Sequence, residues 1–483
     1  MILDYRTTIT ISIFVAFFMD SLLLTIVVPI FPELFRQQKE STFKNNKEIN
    51  FTKIYHRFCS NINYNTSSKL FTKFRCLLKE IALNRKLISN DQFIGVIFAS
   101  KAYVQLFISP VIGFIVIKYG HISCFLIGQF FLGVSYILFF SNINFWILLA
   151  ARMVHGIASC SIGISGMSAL AISYSDDFCR SRAMSIVLSG QALGVVFGYP
   201  YGAILDEFVG SKILFGIPVL ILGGNFILTI SLYFSCSLLQ QYTNIGIIDR
   251  ENQPIGLWKL IKNPIIMITI FSIFLPEMNL ACLEATLPNW LMENFNIEEW
   301  RIGLVFVPDS IGYLIGTSLF GTISIRIGRW ICVVISLLLN GICFIWISYV
   351  RSINELIFPH FGWGLSLGII DACLFPFLAS IFDFNNSSNY GEIYCIQNFA
   401  VSLGFAIGPT LGSVFIKYIH FKWMMRMLGI IAIIHAPLNV IIRFQQTKEE
   451  FITFNSDEYD KISVEDSFQE NYMIEMNYVE NVK

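Results

Sequence analysis

The chain has 483 residues, 55% of them hydrophobic and only 14% charged, with 33 basic and 33 acidic side chains and a formal net charge of zero. A soluble domain carries about 25% charged residues, so a soluble globular protein is excluded. The neutral balance leaves no basic footprint for nucleic acid. The 46 Phe and 19 Tyr suit lipid-facing and interfacial surfaces. In chain order, the first apolar run, Thr10 to Pro32, is too long for a signal-peptide core and lacks a small-residue cleavage site. It reads as a retained helix. A window of about 19 residues gives about twelve spans, at 8–31, 92–116, 122–142, 146–173, 185–206, 213–235, 263–292, 301–324, 331–350, 355–381, 391–416 and 423–444. Each is long enough to cross a hydrocarbon core of about 30 Å. The expected class is an all-α polytopic membrane protein.

Three polar stretches interrupt the spans. Residues 33–90 form a long loop expected in a lumen, 236–262 a cytoplasmic linker, and 445–483 a cytoplasmic tail. The tail, with Asp457-Glu458 and Glu465-Asp466, is acidic and expected to be disordered. They leave two six-helix bundles, at 1–235 and 263–444. The long loop holds Cys59 and Cys76, which in an oxidising lumen would pair, or else stay as two free thiols. It also holds glycosylation sequons at Asn50 and Asn65, which suit a lumenal face. The stretch Asn385-Asn386-Ser387-Ser388 also reads as a sequon, but it falls on the expected cytoplasmic side and is set aside. Short loops on that side carry Lys118, Arg180, Arg182, Arg326 and Arg329; Lys212, Arg351, Lys417 and Lys422 on the other side blur the bias.

The two bundles repeat one another. Ile94-Gly95-Val96-Ile97-Phe98 matches Ile302-Gly303-Leu304-Val305-Phe306, and the same register pairs Gly113 with Gly321 and Gly120 with Gly328. A register two residues longer pairs Gly194, Gly198 and Gly202 with Gly404, Gly408 and Gly412. Parallel halves around a midplane site are a transporter signature.

Five acids interrupt the apolar runs, Asp20, Glu277, Glu284, Asp309 and Asp371, against two bases, Lys101 and Arg152. A charge at that depth costs roughly 2.5–3.5 kcal/mol or more and marks an ion or substrate pathway. Excess acid suits an organic cation and a proton competing for one cavity, since an unpaired charge in low dielectric is prohibitive and a desolvated carboxyl readily takes up a proton. No metal, nucleotide or other cofactor is needed; the proton gradient is the driving force. Glu277 lies seven residues before Glu284, on the same face and about 10 Å away. It either joins the cavity or sits at a helix end in water. Ser161, Ser165 and Ser168 form a polar stripe that either meets substrate hydroxyls or packs helices closely. His155 follows Arg152 by one turn and reads as a packing or hydrogen-bonding histidine, or as a proton relay. No H-E-x-x-H, G-x-S-x-G or Walker motif is present, so no enzyme is expected.

Further motifs carry a resemblance. They are Met19-Asp20-Ser21 leading into Leu23 to Pro32, Ala99-Ser100-Lys101-Ala102, Tyr174-Ser175-Asp176-Asp177, Leu283-Glu284 before Leu287-Pro288, Gly312 to Thr317, Gly328-Arg329-Trp330 and Gly404-Phe405-Ala406-Ile407-Gly408-Pro409. Over about residues 8–444 the chain resembles the major facilitator superfamily, and within it the monoamine branch of the vesicular amine transporters. The resemblance implies a major facilitator fold of twelve helices in two pseudo-symmetric bundles. It implies that Glu284 contacts the amine, with Ser21, Phe98, Tyr313 and Phe405 as further cavity residues. Aromatic faces attract a cation by roughly 0.5–2 kcal/mol. It implies that Asp371 and Asp20 serve proton coupling with Lys101 and Arg152. The family pairs the lysine with a helix-11 aspartate. Here that position is Asn398, which leaves Lys101 without its expected counter-ion; a direct Lys101–Asp309 pair is not expected. Gly194, Gly198, Pro200 and Gly202 resemble the antiporter motif of helix 5, where small residues let rocking helices approach. The loop from Gly113 to His121 fits the superfamily's charge-latch pattern only in part, with Ile117 and Lys118 at its centre. The mirrored loop keeps Arg326 and Arg329.

The expected function is a proton-coupled antiporter that loads monoamines into secretory or synaptic vesicles, as a monomer in the lipid bilayer. Two alternatives stand beside it. One is an efflux carrier for acetylcholine, polyamines or drugs, with the plasma membrane as a possible site. The other is a transport-inactive scaffold, supported by the lost partner of Lys101.

Overall fold

The computed structural model describes residues 5–45, 90–141, 145–208, 211–243, 256–295, 303–384 and 389–443. In a bilayer every backbone polar group must be satisfied within the segment, which leaves helices as the solution for apolar runs of this length. Among the described residues twelve helices are long and apolar enough to span. They are α1 (Tyr5–Asn45), α2 (Asn90–Tyr119), α3 (His121–Ser141), α4 (Phe145–Ser173), α5 (Asp177–Phe208), α6 (Ser211–Thr243), α7 (Pro264–Phe295), α8 (Val307–Ile327), α9 (Arg329–Ile347), α10 (Ile357–Phe384), α11 (Tyr390–Ile419) and α12 (Phe421–His435).

Helix α1 runs past the predicted boundary at 31, to Asn45, so part of the expected loop is helical. The candidates Cys59, Cys76, Asn50 and Asn65, the sequon at Asn386 and the tail from 444 onward lie outside the described residues. The linker contains a single-turn helix, Leu257–Ile261, whose preceding residue Gly256 donates its N–H to Glu392 Oε1 of α11 at 3.2 Å.

Within the first bundle α1 packs on α5, α3 on α4 and α6, and α2 on α4. Within the second, α7 packs on α11, α8 on α10, and α9 on α10 and α12. The bundles meet along two seams, α2 with α11 and α5 with α8. The repeat fixes both seams at the same place. A Cβ on Gly113 would lie 2.8 Å from Cys395 Cβ, and one on Gly321 would lie 2.6 Å from Ser185 Cβ. Gly113 and Gly321 are repeat mates, and so are Ser185 and Cys395, so one close crossing is built twice.

Gly194 and Gly198 of α5 face α1. A side chain on Gly194 would meet the backbone of Phe18 and Leu22, and one on Gly198 would meet Thr25. Gly202 is buried and Pro200, inside the same helix, is exposed. Small residues here let α1 and α5 touch backbone to backbone.

On the face bearing Lys118, Arg182 and Arg326, side chains tie the bundles together. Arg180 of α5 binds Asp383 of α10, which also accepts from Tyr390 of α11. Arg329 of α9 donates to Asp177 at 2.7 Å and to Ser181 at 2.8 Å, both on α5. The bundles are therefore latched together at this basic face.

Candidate functional site

Asp20 is the hub of the first cluster. Its Oδ2 lies 3.5 Å from Lys101 Nζ on α2, its Oδ1 lies 3.0 Å from His155 Nε2 on α4, and Ser159 Oγ donates to the same Oδ1. Arg152, His155 and Ser159 follow at i, i+3 and i+7, which puts them on one face of α4. Arg152 is fully buried, donates to Leu24 O at 3.4 Å and has Asp20 and Glu284 as its opposite charges. Tyr136 Oη donates to Met19 O at 2.7 Å, which anchors α1 beside the carboxylate.

Lys101 therefore has a counter-ion, but on α1 and not on α11. Asn398 accepts from Ser109 Oγ of α2 at 3.1 Å, two turns from the lysine. An amide bridges α2 and α11 as a neutral acceptor, which leaves the ammonium to the nearest carboxylate.

The second cluster is acidic. Asp371 on α10 is 2% exposed and accepts from Tyr313 Oη of α8 at 2.9 Å. Glu277 on α7 is 6% exposed, with Asp371 and Glu284 as its nearest charges. This settles its position in the bundle interior and not at a helix end. Pro276 inside α7 precedes it and frees a backbone carbonyl there. Asp309, 8% exposed, sits in the first turn of α8, accepts from its neighbour Ser310 N at 2.8 Å and faces the charge of Glu284. An acid in a first turn also benefits from the helix dipole.

Glu284 differs from all of these. It is exposed, as is the next residue, Ala285, yet its electrostatic partners are the buried Arg152, Glu277 and Asp309. This accessible carboxylate thus has charge partners in both bundles, Arg152 in the first and Glu277 and Asp309 in the second. Among the described residues, the charges that act on Glu277, Glu284 and Asp309 are those of other acids in this group and of Arg152. Such a site is complementary to cations.

Several predicted residues lie apart from these charges. Ser161 and Ser165 are fully buried and bond carbonyls of their own helix, Ile157 O and Ser161 O. Ser161 lies against Gly128 of α3, and Ser168 is buried as well, so the stripe packs helices. Ser21 is buried against Gly194. Phe405 is half-buried on α11, and the side chain of Phe98 lies outside the described residues. Sequence reasoning passed over Ser159, although its spacing from Arg152 and His155 is the helical signal that joins the three.

Comparison with known proteins bears on what this site belongs to. The Major Facilitator Superfamily model matches residues 9–280 and 269–451. The human synaptic vesicular amine transporter is 32% identical over 92% of this chain and 90% of its own length. The chromaffin granule amine transporter of Rattus norvegicus is 32% identical over 92% and 89%. A probable vesicular acetylcholine transporter of Danio rerio is 28% identical over 73% and 71%. Among solved structures, the human organic anion transporter TETRAN superposes with a TM-score of 0.68 at 14% identity, over 90% of this chain and 99% of that one; this likeness concerns the fold. A family model that matches nearly the whole chain, together with relatives 32% identical over 92% of it, shows that the chain belongs to the vesicular amine transporter family of the Major Facilitator Superfamily.

Proposed function

We propose that this integral membrane protein exchanges protons for organic ammonium ions by alternating access and loads monoamines of the serotonin or dopamine type into secretory or synaptic vesicles. The observation that carries the proposal is Glu284, an accessible carboxylate between the bundles beside three buried acids. Carboxylates whose charged neighbours among the described residues are one another and one guanidinium hold a net negative charge in low dielectric, which must be neutralised by protons or by a cation. The two neutralisers exclude one another, and that exclusion is sufficient for exchange. Identity with vesicular amine transporters over nearly the whole chain supports the choice of amine. The work is done by side chains and a proton gradient, with no bound cofactor, and a monomer suffices because both bundles lie in one chain.

The test is uptake of labelled serotonin into acidified vesicles, with and without a proton ionophore, for wild type and Glu284→Gln. Accumulation should collapse with the ionophore and be absent in the variant. Uptake indifferent to both would refute the reading.

A second reading, transport of more highly charged amines, is favoured by the burial of Glu277 and Asp309 next to Glu284. Competition between serotonin and a polyamine separates the two. The scaffold alternative loses its support, because Lys101 has a partner in Asp20.

A further inference from the structure

His155 is a buried titratable group that the exchange outlined above leaves unused. Its Nε2 lies 3.0 Å from Asp20 Oδ1, its side chain is fully buried, and its Nδ1 has no hydrogen-bond partner among the described residues. A neutral imidazole here donates Nε2–H to the carboxylate and leaves the Nδ1 lone pair bare. An unsatisfied buried nitrogen is costly. An imidazole with one nitrogen on a carboxylate and the other empty has a place for one more proton and an anion to stabilise it.

We propose that the Asp20–His155 couple is a proton-holding site within the N-terminal bundle, distinct from the acids of the C-terminal bundle. The proposal rests on the carrier reading above. A proton from cavity water binds Nδ1, the imidazole becomes imidazolium, and Asp20 remains a carboxylate. The net charge of Asp20, His155 and Lys101 together rises from zero to +1.

The charged groups that act on His155 are Asp20 from α1, Lys101 from α2 and Arg152 one turn away on α4. Among the described residues α3, α5 and α11 add no charge to it; Tyr136 contributes a hydroxyl near Asp20, and Asn398 on α11 is neutral. Protonation therefore sets three cations around one carboxylate. Lys101, whose contact at 3.5 Å is the longest of the three made to Asp20, is the one displaced. Its helix α2 forms one of the two seams, through Ser109 with Asn398 and Gly113 with Cys395. A proton on His155 thus loosens a helix that holds the bundles together, and the proton leaves to water on the opposite face once the bundles have rocked.

The experiment uses the full chain in proteoliposomes, comparing wild type with His155→Gln. Serotonin counterflow without a pH gradient reports the carrier, and accumulation driven by an acidic interior reports proton coupling. Each coupled proton multiplies the accumulation ratio by the proton concentration ratio. At a gradient of one pH unit H155Q should thus lower accumulation by about tenfold, flatten the dependence on internal pH and keep counterflow. Unchanged accumulation with the wild-type pH profile overturns the inference and leaves the carrier reading intact. Absence of wild-type counterflow overturns both. Should H155Q fail to fold, nitrogen-15 spectra of histidine-labelled wild type decide: an imidazole that loses a proton when serotonin is added supports the site, and imidazoles that all ignore serotonin refute it.

Discussion

The two bundles are built from one repeat yet treat buried charge in opposite ways. In the first, Asp20 is compensated within 3.5 Å by Lys101 and His155, with Ser159 completing the shell. In the second, four carboxyls face one another, and Tyr313 is the hydroxyl that satisfies one oxygen of Asp371. Compensated charge is stable without a ligand. Uncompensated charge is a demand that protons or substrate must meet. Under the proposed function, the first bundle takes structural and coupling duties and the second binds the cation.

The largest effect that would break this comparison is loss of the accessible carboxylate. Glu284→Gln keeps shape and removes charge, so serotonin uptake should fall by at least about a hundredfold, the loss of roughly 2.7 kcal/mol expected for a charged contact. Protein yield should stay unchanged, since Glu284 is not packed. Lys101→Met comes next. It strands Asp20 beside a neutral imidazole, and removing one partner of a buried pair costs about 3–5 kcal/mol. Expression and thermal stability should therefore fall along with transport. The contrast between a variant that fails only in transport and one that fails in folding is the comparison in experimental form.

Tyr313→Phe sharpens it further. Deleting one hydrogen bond to a buried carboxyl costs about 1.5–3 kcal/mol. The change should alter the pH dependence of uptake more than the apparent affinity for serotonin at a fixed, optimal pH. The smallest effect belongs to the latch. Arg329→Gln removes bonds to Asp177 and Ser181. Because Asp177 is partly exposed, about 1 kcal/mol or less is expected, read as increased accessibility of a cysteine placed on the basic face.

Much of this was legible beforehand. Hydropathy alone gave the twelve spans, because satisfaction of the backbone in lipid leaves no alternative to helices. The acids stood out because charge is rare in such runs. The glycine register showed the internal repeat, and the structure adds that two of its positions are equivalent seams, at Gly113 with Cys395 and Gly321 with Ser185. What was not legible depended on helix rotation and on contacts distant in sequence. The resemblance points to α11, where Asn398 lies, for the partner of Lys101, whereas the partner is Asp20, 81 residues away on α1. The serine stripe of α4 was visible as a stripe, but nothing in its spacing said that it faces α3. The bonds among Arg180, Asp383 and Tyr390 join helix ends that only the folded topology brings together. They supply a latch where the α2–α3 loop looked too weak to provide one.

The central claim, that cation and proton replace one another on the same carboxylates, is tested most directly by proton release. Purified carrier in weakly buffered detergent solution is mixed with serotonin while a pH indicator is followed. The account predicts that serotonin binding to the wild type acidifies the medium in proportion to site occupancy, and that Glu284→Gln releases nothing. Saturable serotonin binding to the wild type with no proton released would contradict it.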